Sequence, residues 1–181
     1  MHRFVIKIIF IYFFFCNLNF ACQAEIIRPE SKITYTLTSL GLHIKKKALP
    51  TTVILNLKRI NENQYKIEKI KTLTRFTSKN PLFKKVIDYD KYPDFSFESA
   101  PQSSINFIPG KSFLLKGFLT FHGVKKDVVI ELMPTINNGV LKINGQHCIE
   151  MTEFGLVPPR LMFFRIDNKI NTDIELYTEL P

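Results

Sequence analysis

The sequence contains no tryptophan and only three cysteines. Cys16 and Cys22 lie in the first two dozen residues, which leaves Cys148 alone in the rest of the chain. One cysteine cannot close an internal disulfide, so the fold has to stand on its core. Metal-ligand spacings of the C-x-x-C, H-x-H or H-E-x-x-H kind are missing, which removes the usual frameworks for zinc. The G-x-S-x-G elbow, the phosphate-binding P-loop and the dinucleotide fingerprint are absent as well. Residues 25–181 carry no internal repeat, low-complexity tract or Pro/Gly/Ser linker, so a chain of 181 residues reads as one domain.

What is abundant is aromatic: 17 Phe and 6 Tyr. Flat and branched side chains suit the pleated surface of a strand. Short runs alternate with period two and are separated by turn chemistry. Ile33, Tyr35 and Leu37 alternate with threonines, Val53, Leu55 and Leu57 follow, and the next run is Tyr65 to Thr74 after a turn at Asn61-Glu62-Asn63. Phe95 and Phe97 alternate with polar residues. The run Phe113 to Phe121 turns at His122-Gly123 into Val128, Ile130 and Leu132, and Asn137-Asn138-Gly139 turns into Leu141 to Ile149. Ile174 and Leu176 close the chain. About eight strands at hairpin spacing predict an all-β sandwich or antiparallel barrel. One short helix interrupts them, with Asn80 as cap, Pro81 in the first turn, and Leu82, Phe83, Val86 and Ile87 on one side. It is expected to plug or flank one end of the barrel.

The first 24 residues follow other rules. Arg3 and Lys7 precede an apolar run from Ile8 to Cys16, and Ala21-Cys22-Gln23-Ala24 offers small residues for cleavage. This is the pattern of a secretory signal peptide, and the run is shorter than the roughly 20 residues that span a bilayer. The expectation is export, with residues 1–24 removed and 25–181 forming the domain. Lipidation at Cys22 is the lesser alternative. Losing Arg3 and Lys7 lowers the formal charge from +9 to +7. The basic clusters Lys45-Lys46-Lys47, Lys84-Lys85 and Lys125-Lys126 are far apart in the chain, which argues against a nucleic-acid face but suits contact with anionic membrane surfaces.

Catalytic groupings are thin. His147 and Cys148 are neighbours in a predicted strand, so they point to opposite faces and cannot form a dyad or share a metal. Cys148 is expected to be buried as a small apolar residue, and His122 to be an exposed hairpin residue. His43 sits beside three lysines. Glu150 and Glu153 could serve as the acid and base of a hydrolase only if the bend at Phe154-Gly155 brings them together. The residues favour a protein that is not an enzyme and that carries no metal or resident cofactor.

Several of these segments resemble the YceI-like family of bacterial exported lipid-binding proteins. Ser31-x-Ile33-x-Tyr35-x-Leu37 with Leu40-Gly41 is similar to its opening strand, and Lys91-Tyr92-Pro93-Asp94-Phe95-Ser96-Phe97-Glu98-Ser99 to its central stretch. Lys116-Gly117-Phe118-Leu119-Thr120-Phe121-His122-Gly123-Val124-Lys125-Lys126 resembles its hairpin, Glu153-Phe154-Gly155-Leu156 its turn, and Asp173-Ile174-Glu175-Leu176 its closing strand. Three family features differ: Lys47-Ala48-Leu49-Pro50 replaces a glycine and phenylalanine, Ser78-Lys79 replaces an Arg-Asp, and Met151 replaces an arginine.

The resemblance implies a lipocalin-like barrel of eight strands around an elongated apolar interior, in the periplasm. It implies a bound polyisoprenoid, such as a quinone tail, or another long-chain lipid, and often a homodimer. The tunnel-lining candidates are then Ile33, Tyr35, Leu37, Phe95, Phe97, Leu115, Leu119, Phe121, Val128, Ile130, Ile174 and Leu176. A barrel filled by its own side chains, acting as an interaction module of the cell envelope, would use the same residues.

Overall fold

The computed structural model describes residues 23–24, 30–39, 42–77, 79, 81–158, 160–161 and 164–180. Most of the expected leader, with Cys22, lies outside the described residues, as do Leu40, Gly41, Ser78 and the expected helix cap Asn80. Eight strands form the body: β1 (Lys32–Ser39), β2 (Leu42–Asn61), β3 (Gln64–Phe76), β4 (Asp94–Ser99), β5 (Phe113–Phe121), β6 (Val124–Asn137), β7 (Val140–Glu150) and β8 (Phe164–Glu179). Each pairs antiparallel with the next in sequence, and β8 pairs back onto β1. The ladder therefore closes into a ring of eight strands with up-and-down order. Three shorter segments decorate it: Gln23–Ala24 on β2, Ile105–Phe107 on β3 and Arg160–Leu161 on β8.

Turn chemistry sets the hairpins. His122 and Gly123 have φ of 50° and 74°, and Asn138 and Gly139 have 49° and 76°. Two consecutive positive φ values define the tight turn whose twist matches antiparallel strands. Corners come from irregularities. Between β2 and β3 the register moves from Asn56–Lys69 to Leu57–Ile67, so Glu68 is an extra residue in β3. Such a bulge bends the strand and reverses which parity faces inward. Tyr65 and Ile67 are buried before it, and Ile70, Thr72, Thr74 and Phe76 after it.

The interior is layered along the ring. At one end Tyr35 stacks on Phe83 with centroids 5.1 Å apart, and Phe76 meets Tyr35, Phe83, Phe95 and Phe121. Phe83 belongs to helix α1 (Pro81–Val86), which caps this end and buries Ile87 just beyond its last turn. Phe154 joins the cluster from a 3-10 turn (Met151–Phe154) that Gly155 ends at φ 74°. At the other end Tyr65, Phe107 and Phe113 stack in series. Aromatic pairs of this kind add about 0.5–1.5 kcal/mol each beyond the area they bury.

Two serines serve as backbone acceptors where the ladder lacks one. Ser99 Oγ accepts from the Ile70 amide and Ser31 Oγ from the Tyr177 amide, both at 3.0 Å. Gly117 has another role: a Cβ there would sit 2.5 Å from Phe97 Cζ and 2.6 Å from the Glu98 carbonyl oxygen. Its hydrogen lets the Phe97 ring lie against the wall. Gly117→Ala is therefore expected to cost about 1–3 kcal/mol by overpacking. Urea unfolding should show a lower midpoint with an unchanged slope.

Candidate functional site

Between the two aromatic clusters the ring encloses a small apolar space. Fourteen residues line it: Ile33, Ile70, Thr72, Phe95, Phe97, Leu115, Leu119, Ile130, Leu132, His147, Ile149, Thr172, Ile174 and Leu176. Eleven of these are hydrocarbon side chains, and none is a lysine, arginine or carboxylate. Alternation explains the selection, because Leu115, Gly117 and Leu119 share one parity of β5 and the outward Leu114 and Lys116 are exposed. The cavity is about 50 Å³, against roughly 300–1,000 Å³ for a typical small-molecule pocket. Phe95 and Phe97 are the bulkiest groups on its wall.

Eight of the twelve expected tunnel residues reach this space: Ile33, Phe95, Phe97, Leu115, Leu119, Ile130, Ile174 and Leu176. Tyr35 and Phe121 belong to the helix-capped aromatic cluster, and Leu37 is buried on the same strand as Tyr35. Val128 is partly buried against the core. Sequence reasoning missed Ile70, Thr72, Leu132, His147, Ile149 and Thr172. Leu132 and Ile149 could have been found by extending the alternation already seen. Thr72 could not, because the bulge at Glu68 turns it inward and leaves Leu73 exposed.

Two expectations about single residues need correction. Cys148 is exposed, because β7 alternation places Ile149 inside and its neighbour outside. His122 is partly buried: its Nδ1 donates to the Phe154 carbonyl at 3.1 Å, and its ring meets Tyr92 edge-on at 4.5 Å. His147 and Cys148 do lie on opposite faces, with His147 lining the interior. His43 is exposed, with its Nδ1 3.1 Å from Thr38 Oγ1. Glu150 stands opposite Lys169 in the β7–β8 register, and Glu153 is exposed on the 3-10 turn. Among the described residues no group of three or more His, Cys, Asp or Glu side chains is placed to hold a metal ion.

A larger hollow, about 850 Å³, is an open groove on the outside of β1, β2 and β6–β8. Its charged side chains are mostly committed to one another. Glu175 bridges Lys32 at 2.9 Å and Lys142 at 3.2 Å, and Asp173 meets Lys45 at 3.3 Å. Hydrogen bonds from Lys32 and then Lys142 hold the Glu175 carboxyl below the ordinary carboxylate range. Pairs this exposed contribute little to stability.

A closed up-and-down antiparallel ring around an apolar interior is a lipocalin-like architecture. The family model for the YceI-like domain matches residues 31–180, and the chain belongs to that family. Solved structures agree on the fold. BcnA of Burkholderia cenocepacia superposes with a TM-score of 0.57 at 13% identity, covering 82% of this chain and 96% of that one. The polyisoprenoid-binding domain from Saccharophagus degradans, implicated in plant cell wall breakdown, gives 0.52 at 10% identity, with 83% and 94% covered. The Campylobacter jejuni YceI protein gives 0.53 at 16%, with 80% and 94% covered. A search of curated proteins finds no sequence match.

Among the described residues that line the cavity, His147 is the one ionisable side chain. Burial lowers its pKa below the ordinary 6.5, with the Glu153 charge opposing weakly. The unfolded chain then takes up a proton more readily than the folded one as pH falls. The contribution of neutral His147 is complete above pH 6.5 and is lost as pH drops through the lower folded value. Urea titrations are expected to show the wild type losing stability as pH falls below 6.5, and His147→Leu losing less.

Proposed function

We propose that this protein is an exported, periplasmic carrier that binds an isoprenoid or other long-chain lipid inside the ring, with no covalent chemistry. The observation that carries this reading is a closed wall whose interior lining is hydrocarbon at eleven of fourteen positions. The Saccharophagus degradans relative, named as a polyisoprenoid-binding domain, supports the same ligand class. The leader pattern in residues 1–24 supports export.

Capacity is the physical question, since a cavity of about 50 Å³ cannot hold a chain. Entry therefore requires Phe95 and Phe97 to turn aside and the ring to widen. Moving an aromatic ring off its preferred rotamer costs about 0.5–1.5 kcal/mol. Burying each CH₂ of a chain returns about 0.8 kcal/mol, so a few isoprene units outweigh two displaced rings. The balance favours a long ligand over a short one.

The route to a membrane follows from where the lysines lie. Lys84 and Lys85 are in the last turn of α1, Lys125 and Lys126 begin β6 next to the turn at His122, and the Lys47 carbonyl accepts from Thr77 just after β3. All three clusters border the helix-capped end, which suits transfer from an anionic bilayer surface.

The near-full interior also favours a second reading, a filled barrel acting as an interaction module. The two separate on one experiment, which is native purification followed by organic extraction and mass spectrometry. The carrier reading expects a stoichiometric chain lipid; a protein that arrives empty and ignores added isoprenoid quinones and fatty amides contradicts it. Phe97→Leu is further expected to lower stability by about 1 kcal/mol while tightening isoprenoid binding, as read by calorimetric titration.

A further inference from the structure

One feature of the cavity is at odds with a purely hydrocarbon ligand. Its wall includes His147 and Thr172, which face each other across the β7–β8 register. The Thr172 hydroxyl donates to the His147 carbonyl at 2.8 Å, which commits its proton and leaves its oxygen free to accept. The His147 ring nitrogens make no hydrogen bond among the described residues. One of them donates and the other accepts when the ring is neutral, the form that its partial burial favours. A ligand that filled this space with methylenes alone would leave the imidazole nitrogens and the Thr172 oxygen facing hydrocarbon without a polar partner.

Resting on the carrier reading above, we propose that His147 and Thr172 form a polar subsite inside the ring that receives an uncharged hydrogen-bonding group of the ligand. The matching chemistry is a hydroxyl or a carbonyl, as on an isoprenoid alcohol or a quinone ring. A carboxylate is disfavoured, because no lysine or arginine lines the cavity and a buried anion without a partner is strongly penalised. The subsite lies between the two aromatic clusters, so the polar group enters the ring ahead of, or alongside, its chain. His147 and Thr172 are then specificity-determining residues of the interior.

Three C15 probes separate the possibilities: farnesol, farnesoic acid and the saturated hydrocarbon farnesane. Each is titrated against the full chain by displacement of the neutral fluorophore N-phenyl-1-naphthylamine. The expected result is roughly tenfold tighter binding of farnesol than of either other probe. His147→Leu should bring farnesol to within about twofold of farnesane, whatever the change in farnesane affinity itself. His147→Gln, which keeps a donor and an acceptor, should restore most of the preference. In the wild type, the imidazole nitrogen resonances of His147 should shift on adding farnesol and not on adding farnesane, a readout that needs no variant. Equal binding of all three probes, a preference for the acid, or a preference that survives His147→Leu overturns the subsite and leaves the carrier reading standing. No binding of any probe overturns both.

Discussion

Closure of the hydrogen-bond ladder between β8 and β1 is the constraint on which the rest of the molecule depends. Eleven register pairs tie β7 to β8 and seven tie β8 to β1, so the sheet returns on itself. A closed sheet leaves no long free edge in the ring and forces every second side chain into one narrow lumen. Whatever occupies that parity must pack with its opposite numbers. The aromatic clusters at the two ends, the Phe97 ring laid over Gly117, and α1 inserted through Phe83 are all answers to that requirement. The serines at 31 and 99 complete it by accepting from the Tyr177 and Ile70 amides where the neighbouring strand supplies no partner.

Much of this was legible before any coordinates. Period-two alternation in β1, β4 and β5 put Ile33, Tyr35, Phe95, Phe97, Leu115 and Leu119 inside, and all are buried. Turn chemistry at His122-Gly123 and Asn138-Gly139 located two hairpins with the expected positive φ values. Alternation fails where a strand carries an extra residue. Glu68 inverts the parity of β3, so apolar Leu73 is exposed while Thr72 and Thr74 are buried, and no local pattern announces that inversion. Cys148 shows a different kind of miss. The general tendency of cysteine toward burial was weighed above the strand parity fixed by Ile149, and the parity decides. The same parity turns His147 inward, so the one histidine on the cavity wall could have been placed by carrying the alternation on from Ile149.

The site is thus a small apolar cavity interrupted by one histidine and two threonines and bounded by the Phe95 and Phe97 rings. That combination links structure to function through energy. In the proposed carrier role, burial of a chain lipid would offset the displacement of aromatic side chains, and His147 and Thr172 would meet its polar group. In the charged groove outside, Lys32 and Lys142 pair with Glu175, and Lys45 with Asp173.

The central claim is that the lumen itself is where a lipid goes. The most direct test is a crystal structure of the protein with geranylgeraniol. The account predicts an extended chain between Leu119 and Leu176, with the Phe97 ring turned from its place over Gly117. An unchanged interior, with the lipid on the outer face or at no defined position, would contradict it.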